Sequence, residues 1–238
     1  MLSNKSITLD GYLKVVILLT IVNLALLGIR NYMVGDTIFN FLKSNLISGI
    51  IPFIIAYLLA KFQSKLKNWI FWIIALVWVL FYPNSPYMIS DLIHDGSDTK
   101  EIQDLIVYDT LIIFSIAMLS VFYGFLSVKI MFNLFYLKYG NRFAHIAIFL
   151  TLALSCVGFY MGRELKSGIP VGNGYLYSSE IFTHPIKVIK IVWHALFPIG
   201  AHLPAYAMMV LFGIVQYLLI VMFKDINDIE SAKLVTKA

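Results

Sequence analysis

An aspartate and a histidine three residues apart, Asp91 and His94, carry the most distinctive chemistry in the chain. They follow a strongly apolar run, and the spacing predicts a short helix over about residues 86–94 with Ser85 as its N-cap. At about 100° per residue, Tyr87, Asp91 and His94 share one face of that helix, opposite an apolar face. Three roles are open for the pair: a hydrogen bond that anchors the helix, ligation of a metal ion, or acid/base catalysis.

A second carboxylate, Asp109, lies about one helical turn inside the apolar run 105–128. A carboxylate in that position has a high free-energy cost unless it has a partner or faces water. Ionisable residues within the membrane are therefore candidates for function. Arg163 and Glu164 close the next apolar run on the same side, so an Asp109 to Arg163 ion pair is geometrically reasonable. Such a pair would tie two helices together, whereas a free Asp109 could act as an acid or as a metal ligand.

The polar stretch 163–185 contains several glycines together with Glu180 and His184. Backbone N–H groups of glycines can cradle an anion, but the spacing of a phosphate-binding loop is absent and turn formation explains them as well. His184 is a further candidate ligand for a metal shared with the aspartates and histidine above. The sequence itself requires no cofactor, and the identity of any cofactor is open.

Composition indicates that a lipid bilayer positions these groups. Of the 238 residues, 60% are hydrophobic and 13% are charged, against roughly 25% charged residues in soluble globular chains. A soluble enzyme of ordinary composition is therefore excluded, and the abundant aromatic residues exclude a disordered chain. The net charge of +5 comes from short loops, which indicates orientation in a membrane and no nucleic-acid partner. The single cysteine, Cys156, is predicted to have a packing role.

The predicted fold is all-α: a polytopic transmembrane helix bundle with about six spans plus short interfacial helices. Residues 1–238 form a single integral membrane domain. The predicted spans cover residues 12–29, 45–60, 69–82, 105–128, 143–162 and 204–223, and the interfacial helices cover residues 86–94 and 186–197. A seven-span arrangement, in which 186–197 also crosses, is the alternative.

The distribution of basic residues predicts the orientation of the bundle. Six spans place 11 of the 18 Lys and Arg residues on the side of both termini, and the positive-inside rule makes that side cytoplasmic. Nine of the 13 acidic residues and four of the five histidines fall on or near the other side. The prediction is a multi-pass protein of the plasma membrane with its polar cluster at the extracytoplasmic face.

The same residues carry a resemblance to a known family. It rests on Pro83-Asn84-Ser85-Pro86-Tyr87, Asp91-Leu92-Ile93-His94, Tyr108-Asp109 opening a span that reaches Gly124 and Ser127, and Gly162-Arg163. This set resembles the bacterial multi-span membrane-protein family catalogued as domain of unknown function thirteen sixty-one. The resemblance implies a multi-span fold and motif positions at Asn84, Asp91, His94, Asp109 and Arg163, and it implies no mechanism. One departure is Ser178-Ser179-Glu180, which stands where the family tends to carry an R-x-N-S-W-D-like stretch.

Three functions fit these observations. The first is a non-catalytic scaffold or accessory subunit. The second is a membrane enzyme, with or without a metal ion, that acts on a lipid-linked or envelope substrate. The third is a small-solute transporter. The lipid bilayer is the one predicted partner, and the oligomeric state and protein partners are open. The candidate site comprises Asn84, Tyr87, Asp91, His94, Asp109, Arg163, Glu164, Glu180 and His184. Its catalytic candidates are Asp91, His94 and Asp109, and its metal-ligand candidates are Asp91, His94, Asp109 and His184.

Overall fold

The computed structural model describes residues 9–35, 39–94, 103–166, 169–171, 174–176 and 203–222. Helices dominate this part of the chain. They are α1 (Leu9–Val34), α2 (Asn40–Phe62), α3 (Asn68–Phe81), α4 (Asn84–Tyr87), α5 (Gln103–Tyr139), α6 (Asn141–Lys166) and α7 (Leu203–Met222). Two 3₁₀ helices, Gln63–Lys65 and Met88–His94, follow α2 and α4.

Five helical stretches among the described residues are long and apolar enough to cross a membrane. They are Leu9–Val34, Asn40–Lys65, Asn68–Leu92, Val107–Tyr139 and Asn141–Phe159. Within α7, the sixth predicted span, Met209–Leu218 forms a shorter apolar stretch. The prediction of an all-α membrane-spanning bundle is therefore confirmed, and the chain is a membrane protein.

Several helices extend beyond the predicted spans, and the C-terminal extensions of α1 and α5 bear on the site. α1 continues to Val34 instead of ending near residue 29, and α5 continues to Tyr139 instead of ending near residue 128. Hydropathy detects the part of a helix that contacts hydrocarbon, while the hydrogen-bonded helix runs on through the polar interface. Arg30 and Lys129, each one residue beyond a predicted span, are consequently helix residues. Gly140, with φ of +86°, ends α5 and permits the sharp turn into α6.

The apolar core lies between α2, α3 and α5, with α6 completing it. α1 packs against α5 along a narrow stripe. Four of its five buried residues, Leu9, Val16, Asn23 and Arg30, recur at seven-residue intervals, the spacing of a helix that contacts a neighbour through a single seam. α7 packs against α6, where the rings of Phe159 and Phe212 stack with their centroids 4.0 Å apart.

A small hairpin follows α6. β1 (Ile169–Val171) and β2 (Gly174–Leu176) pair antiparallel, with Val171 opposite Gly174. Two positions separate the paired ends of the strands, a common length for a β-hairpin connection. The predicted interfacial helix 186–197, together with Glu180 and His184, lies outside the described residues, so the choice between six and seven spans stays a prediction.

Candidate functional site

The motif at residues 83–87 interrupts a helix inside the bundle. α3 has 14 residues, about 21 Å at 1.5 Å per residue, and cannot cross the roughly 30 Å of hydrocarbon alone. Pro83 and Pro86 lack the backbone N–H that a continuing helix needs. Asn84 Nδ2 donates a hydrogen bond to the carbonyl of Phe81 at 3.0 Å, which satisfies one backbone acceptor at the end of α3. The chain then continues as α4 and the second 3₁₀ helix.

Three glycines from three helices surround this interruption. The Oγ of Ser85, a fully buried residue, donates a hydrogen bond to the carbonyl of Gly49 in α2 at 2.6 Å. A Cβ at Gly124 in α5 would lie 2.8 Å from Ser85 Cβ, and one at Gly158 in α6 would lie 2.9 Å from the ring of Pro83. Ser85 is therefore a packing and hydrogen-bonding residue, not the predicted N-cap. Burial in protein is what makes irregular backbone tolerable at membrane depth.

Asp91 is buried beside this interruption. Asn45 Nδ2 in α2 donates a hydrogen bond to Asp91 Oδ2 at 2.7 Å, and the aspartate is 1% exposed. A 3₁₀ helix has three residues per turn, so Asp91 shares its buried face with Met88, while Leu92 is exposed. The predicted amphipathic α-helix, with an outward polar face that includes Tyr87, is thus replaced by a segment whose aspartate points into the bundle. The ring of Tyr87 lies 5.7 Å from that of Phe159.

Asp109 forms a buried ion pair with Arg30 of α1. Arg30 Nε donates to Asp109 Oδ1 at 2.9 Å, and Arg30 Nη2 donates to Asp109 Oδ2 at 3.0 Å. Both side chains are 0% exposed. Arg30 Cζ also lies 4.7 Å from the centroid of the Phe39 ring, a cation–π distance. This bidentate geometry is the stronger of the arrangements in which arginine binds a carboxylate.

Neither partner of the buried aspartates was predicted from the sequence. Arg30 lies one residue beyond the predicted span 12–29, although its seven-residue spacing from Asn23 and Val16 is a signal that it faces a neighbouring helix. Asn45 was the first residue of a predicted span, and its contact with Asp91 joins positions 46 residues apart, which no local pattern reveals.

Several predicted site residues lie outside the described part of the structure. These are the side chains of His94, Arg163 and Glu164, and all of Glu180 and His184. The Asp109 to Arg163 pair and the metal site therefore stay predictions. Among the described residues, no three His, Cys, Asp or Glu side chains are grouped so that they could hold a metal ion.

Asp91 and Asp109 are held at different depths in the bundle. Asn45, the partner of Asp91, is one helical turn from Gly49 at the interruption, whereas Asp109 is fifteen residues from Gly124 along α5. The difference of eleven residues corresponds to roughly 16 Å along the bundle axis. Each carboxylate has its own partner, on α2 for Asp91 and on α1 for Asp109.

A polar contact also joins α7 to the rest of the bundle. Gln216 Oε1 accepts hydrogen bonds from Tyr82 Oη at 3.2 Å and from Ser155 Oγ at 2.9 Å. Gln216 Nε2 donates to Cys156 Sγ at 3.6 Å. The only cysteine of the chain is buried in this contact, which agrees with its predicted packing role. Together these contacts connect the end of α3 with α6 and α7.

Among known protein families, a model described as "Protein of unknown function (DUF1361)" matches residues 44–219 of the chain. The match runs from α2 into α7 and leaves out α1, the helix that supplies Arg30. Neither the curated proteins nor the solved structures contain a match. The family model covers most of the chain, and it is the family that the motif residues around the interrupted helix indicate. The chain belongs to the family described as Protein of unknown function (DUF1361).

Proposed function

We propose that the chain is a non-catalytic scaffold or accessory subunit of the plasma membrane, with both termini cytoplasmic. The observation that carries this proposal is the contact between Arg30 and Asp109. Both carboxylate oxygens accept hydrogen bonds from the guanidinium, and neither side chain is exposed. A carboxylate enclosed in this way is closed to substrate, whereas it can hold two helices in register.

The contacts of the other motif residues support the same function. Ser85 binds α2, and its neighbour Pro83 packs on α6. Asp91 also binds α2, through Asn45. Each of these side chains joins separate helices by direct contact, as expected of residues that define an arrangement of spans.

A charge-exchange experiment tests the scaffold proposal. Asp109→Asn and Arg30→Gln should each reduce the yield of folded, monodisperse protein in detergent several-fold, because each leaves one buried group without its partner. The exchanged pair, Arg30→Asp with Asp109→Arg, should recover part of that yield. Asp10→Asn, at the other end of α1, serves as the control and should fold like the wild type. Wild-type yields for both single variants would contradict the proposal.

The cytoplasmic placement of the termini has its own test. A reporter that is active only in the cytoplasm, fused in turn to each end, should be active at both. Activity of a periplasm-specific reporter at either end would overturn the orientation and leave the helix contacts unaffected.

A small-solute transporter is the second candidate, and a specific observation favours it. The interruption lies inside the candidate span Asn68–Leu92. The hydroxyls of Ser90 and Ser120 are buried without a hydrogen-bond partner in the described part of the chain. Irregular backbone and polar groups without hydrogen-bond partners at membrane depth also occur in transporters, where they line the pathway of the solute. Solute flux into liposomes that falls on Ser120→Ala, with folded yield unchanged, would favour this candidate over the scaffold.

A further inference from the structure

The two connections at the end of the bundle opposite Asp109 form one surface. The first connection, residues 62–68, joins α2 to α3, and the second, residues 138–142, joins α5 to α6. Tyr139 Oη donates a hydrogen bond to Asn68 Oδ1 at 3.1 Å, and the ring centroids of Trp72 and Tyr139 are 5.2 Å apart. The two connections are therefore held side by side.

This surface is basic and carries no acid of its own. Its two connections contain Lys65, Lys67, Lys138 and Arg142, all exposed, and no Asp or Glu. The Nζ of Lys138 lies 4.1 Å from the centroid of the Phe71 ring. The ring attracts the ammonium group without neutralising it, so the charge remains available to a ligand.

Exposed tryptophans border the same surface. Trp69 is 61% exposed and Trp72 is 39% exposed, and Trp72 stacks on Phe135 with the ring centroids 6.1 Å apart. Exposed tryptophan rings next to basic residues are typical of the level at which lipid headgroups lie. We call the set Lys65, Lys67, Lys138, Arg142, Trp69 and Trp72 the aromatic–basic surface.

The length of α5 agrees with a position of this surface at the level of the lipid headgroups. The candidate span Val107–Tyr139 has 33 residues, about 50 Å along a helix. This length is enough to cross the hydrocarbon core and both headgroup regions. The end of α5 can therefore reach the headgroups, which is consistent with that level for the aromatic–basic surface.

We propose that the aromatic–basic surface binds the headgroup of an anionic phospholipid. The phosphate and the additional negative charge match the four cations, while the tryptophan rings lie alongside the glycerol region and the first methylenes. Charge complementarity favours this ligand over a zwitterionic lipid. The proposal needs the chain to be embedded in a bilayer but does not depend on its being a scaffold.

Tryptophan quenching by brominated lipids tests this proposal. The full chain carrying Trp193→Phe is reconstituted into phosphatidylcholine bilayers that contain either brominated phosphatidylglycerol or the same fraction of brominated phosphatidylcholine. Trp78 is fully buried, so contact quenching reports Trp69 and Trp72. We expect phosphatidylglycerol to have an apparent binding constant at least about threefold higher than phosphatidylcholine.

Variants separate a defined site from general attraction. The combined variant Lys65→Gln, Lys67→Gln, Lys138→Gln and Arg142→Gln should abolish the preference, and Lys138→Gln alone should reduce it. Lys43→Gln in α2, toward the opposite end, is the control and should keep the full preference. If the combined variant does not fold, molar salt added to the wild type should remove the preference. Equal quenching by both lipids, retention of the preference in Lys138→Gln, or an equal loss in Lys43→Gln would overturn the proposal.

Discussion

α1 carries an ion pair at each end, and the two pairs differ in their surroundings. Toward the C-terminal end, Arg30 Nε lies 2.9 Å from Asp109 Oδ1, with both side chains 0% exposed. Toward the N-terminal end, Lys61 Nζ lies 3.5 Å from Asp10 Oδ1, with side chains 47% and 65% exposed. The two α1 residues are twenty positions apart, about 30 Å along the helix, a distance similar to the thickness of the hydrocarbon core of a bilayer.

The comparison shows that two ion pairs on one helix can contribute very differently to its stability. An exposed pair contributes about 0 to 1 kcal/mol because water already solvates both charges. Removing one member of a buried pair costs about 3 to 5 kcal/mol, because the remaining charge stays buried without compensation. We therefore expect the docking of α1 on α5 to depend on Arg30 and Asp109, and only weakly on Asp10 and Lys61.

The largest effect should follow from Asp109→Asn. This substitution keeps the shape of the side chain and leaves the Arg30 guanidinium buried without a countercharge, so the free energy of unfolding should fall by about 3 to 5 kcal/mol. Denaturant unfolding in detergent, followed by tryptophan fluorescence, measures it. Asp10→Asn is the matched control. Similar losses for the two variants would remove the distinction between the two ends of α1.

A glycine substitution tests whether the helix interruption is packed as tightly as the buried ion pair. In Gly158→Ala the new Cβ would lie 2.9 Å from the rigid ring of Pro83, and we expect a loss of about 1 to 3 kcal/mol. Gly28 in α1 has nothing within 4 Å of an added Cβ, so Gly28→Ala should be neutral or gain about 0.5 to 1 kcal/mol. Thermal unfolding of the two variants makes the comparison. A neutral Gly158→Ala would mean that α6 does not fit closely against the interruption.

Arg30→Lys separates charge from geometry at the buried pair. Lysine keeps the positive charge but cannot donate two parallel hydrogen bonds from a planar group. We expect the free energy of unfolding to fall by about 1 to 2 kcal/mol, less than in Arg30→Gln, as measured by the same denaturant titration. Stability equal to the wild type would show that charge alone holds α1 in place.

The smallest effect should follow from Lys61→Gln. We expect a loss below about 1 kcal/mol that disappears in high salt, because the pair with Asp10 is exposed and screened. Unfolding curves recorded at low and at molar salt measure it. The loss in Asp109→Asn should persist at both salt concentrations, and a large, salt-independent loss in Lys61→Gln would contradict this assignment.

Much of the fold could be predicted from the sequence because lipid imposes simple rules. Long apolar runs predicted the helices, and the apolar run 69–82 predicted the end of α3 within one residue. The lengths of the helices were harder to predict, because α1 and α5 continue beyond the apolar residues that a hydropathy pattern detects. The 3₁₀ geometry at residues 88–94 was also missed, since the prediction assumed 100° per residue and so assigned Asp91 to an outward polar face.

The candidate site could be predicted in part. Residue type and motif identified Asp91 and Asp109 as unusual, and both are buried with polar partners. Their partners could not be found, because Arg30 and Asn45 are distant in sequence and become neighbours only when α1, α2 and α5 pack. Gly124 was identified as a motif position, but the reason for a glycine there is the close approach of Ser85, which only the packed structure shows.

The central claim is that Arg30 and Asp109 act as one buried structural unit. A double-mutant cycle with Arg30→Gln and Asp109→Asn measures the coupling free energy between them, and a parallel cycle with Asp10→Asn and Lys61→Gln provides the reference. We predict a coupling of about 2 to 3 kcal/mol for the buried pair and less than about 0.5 kcal/mol for the exposed pair. A coupling for Arg30 and Asp109 no larger than that for Asp10 and Lys61 would contradict the account.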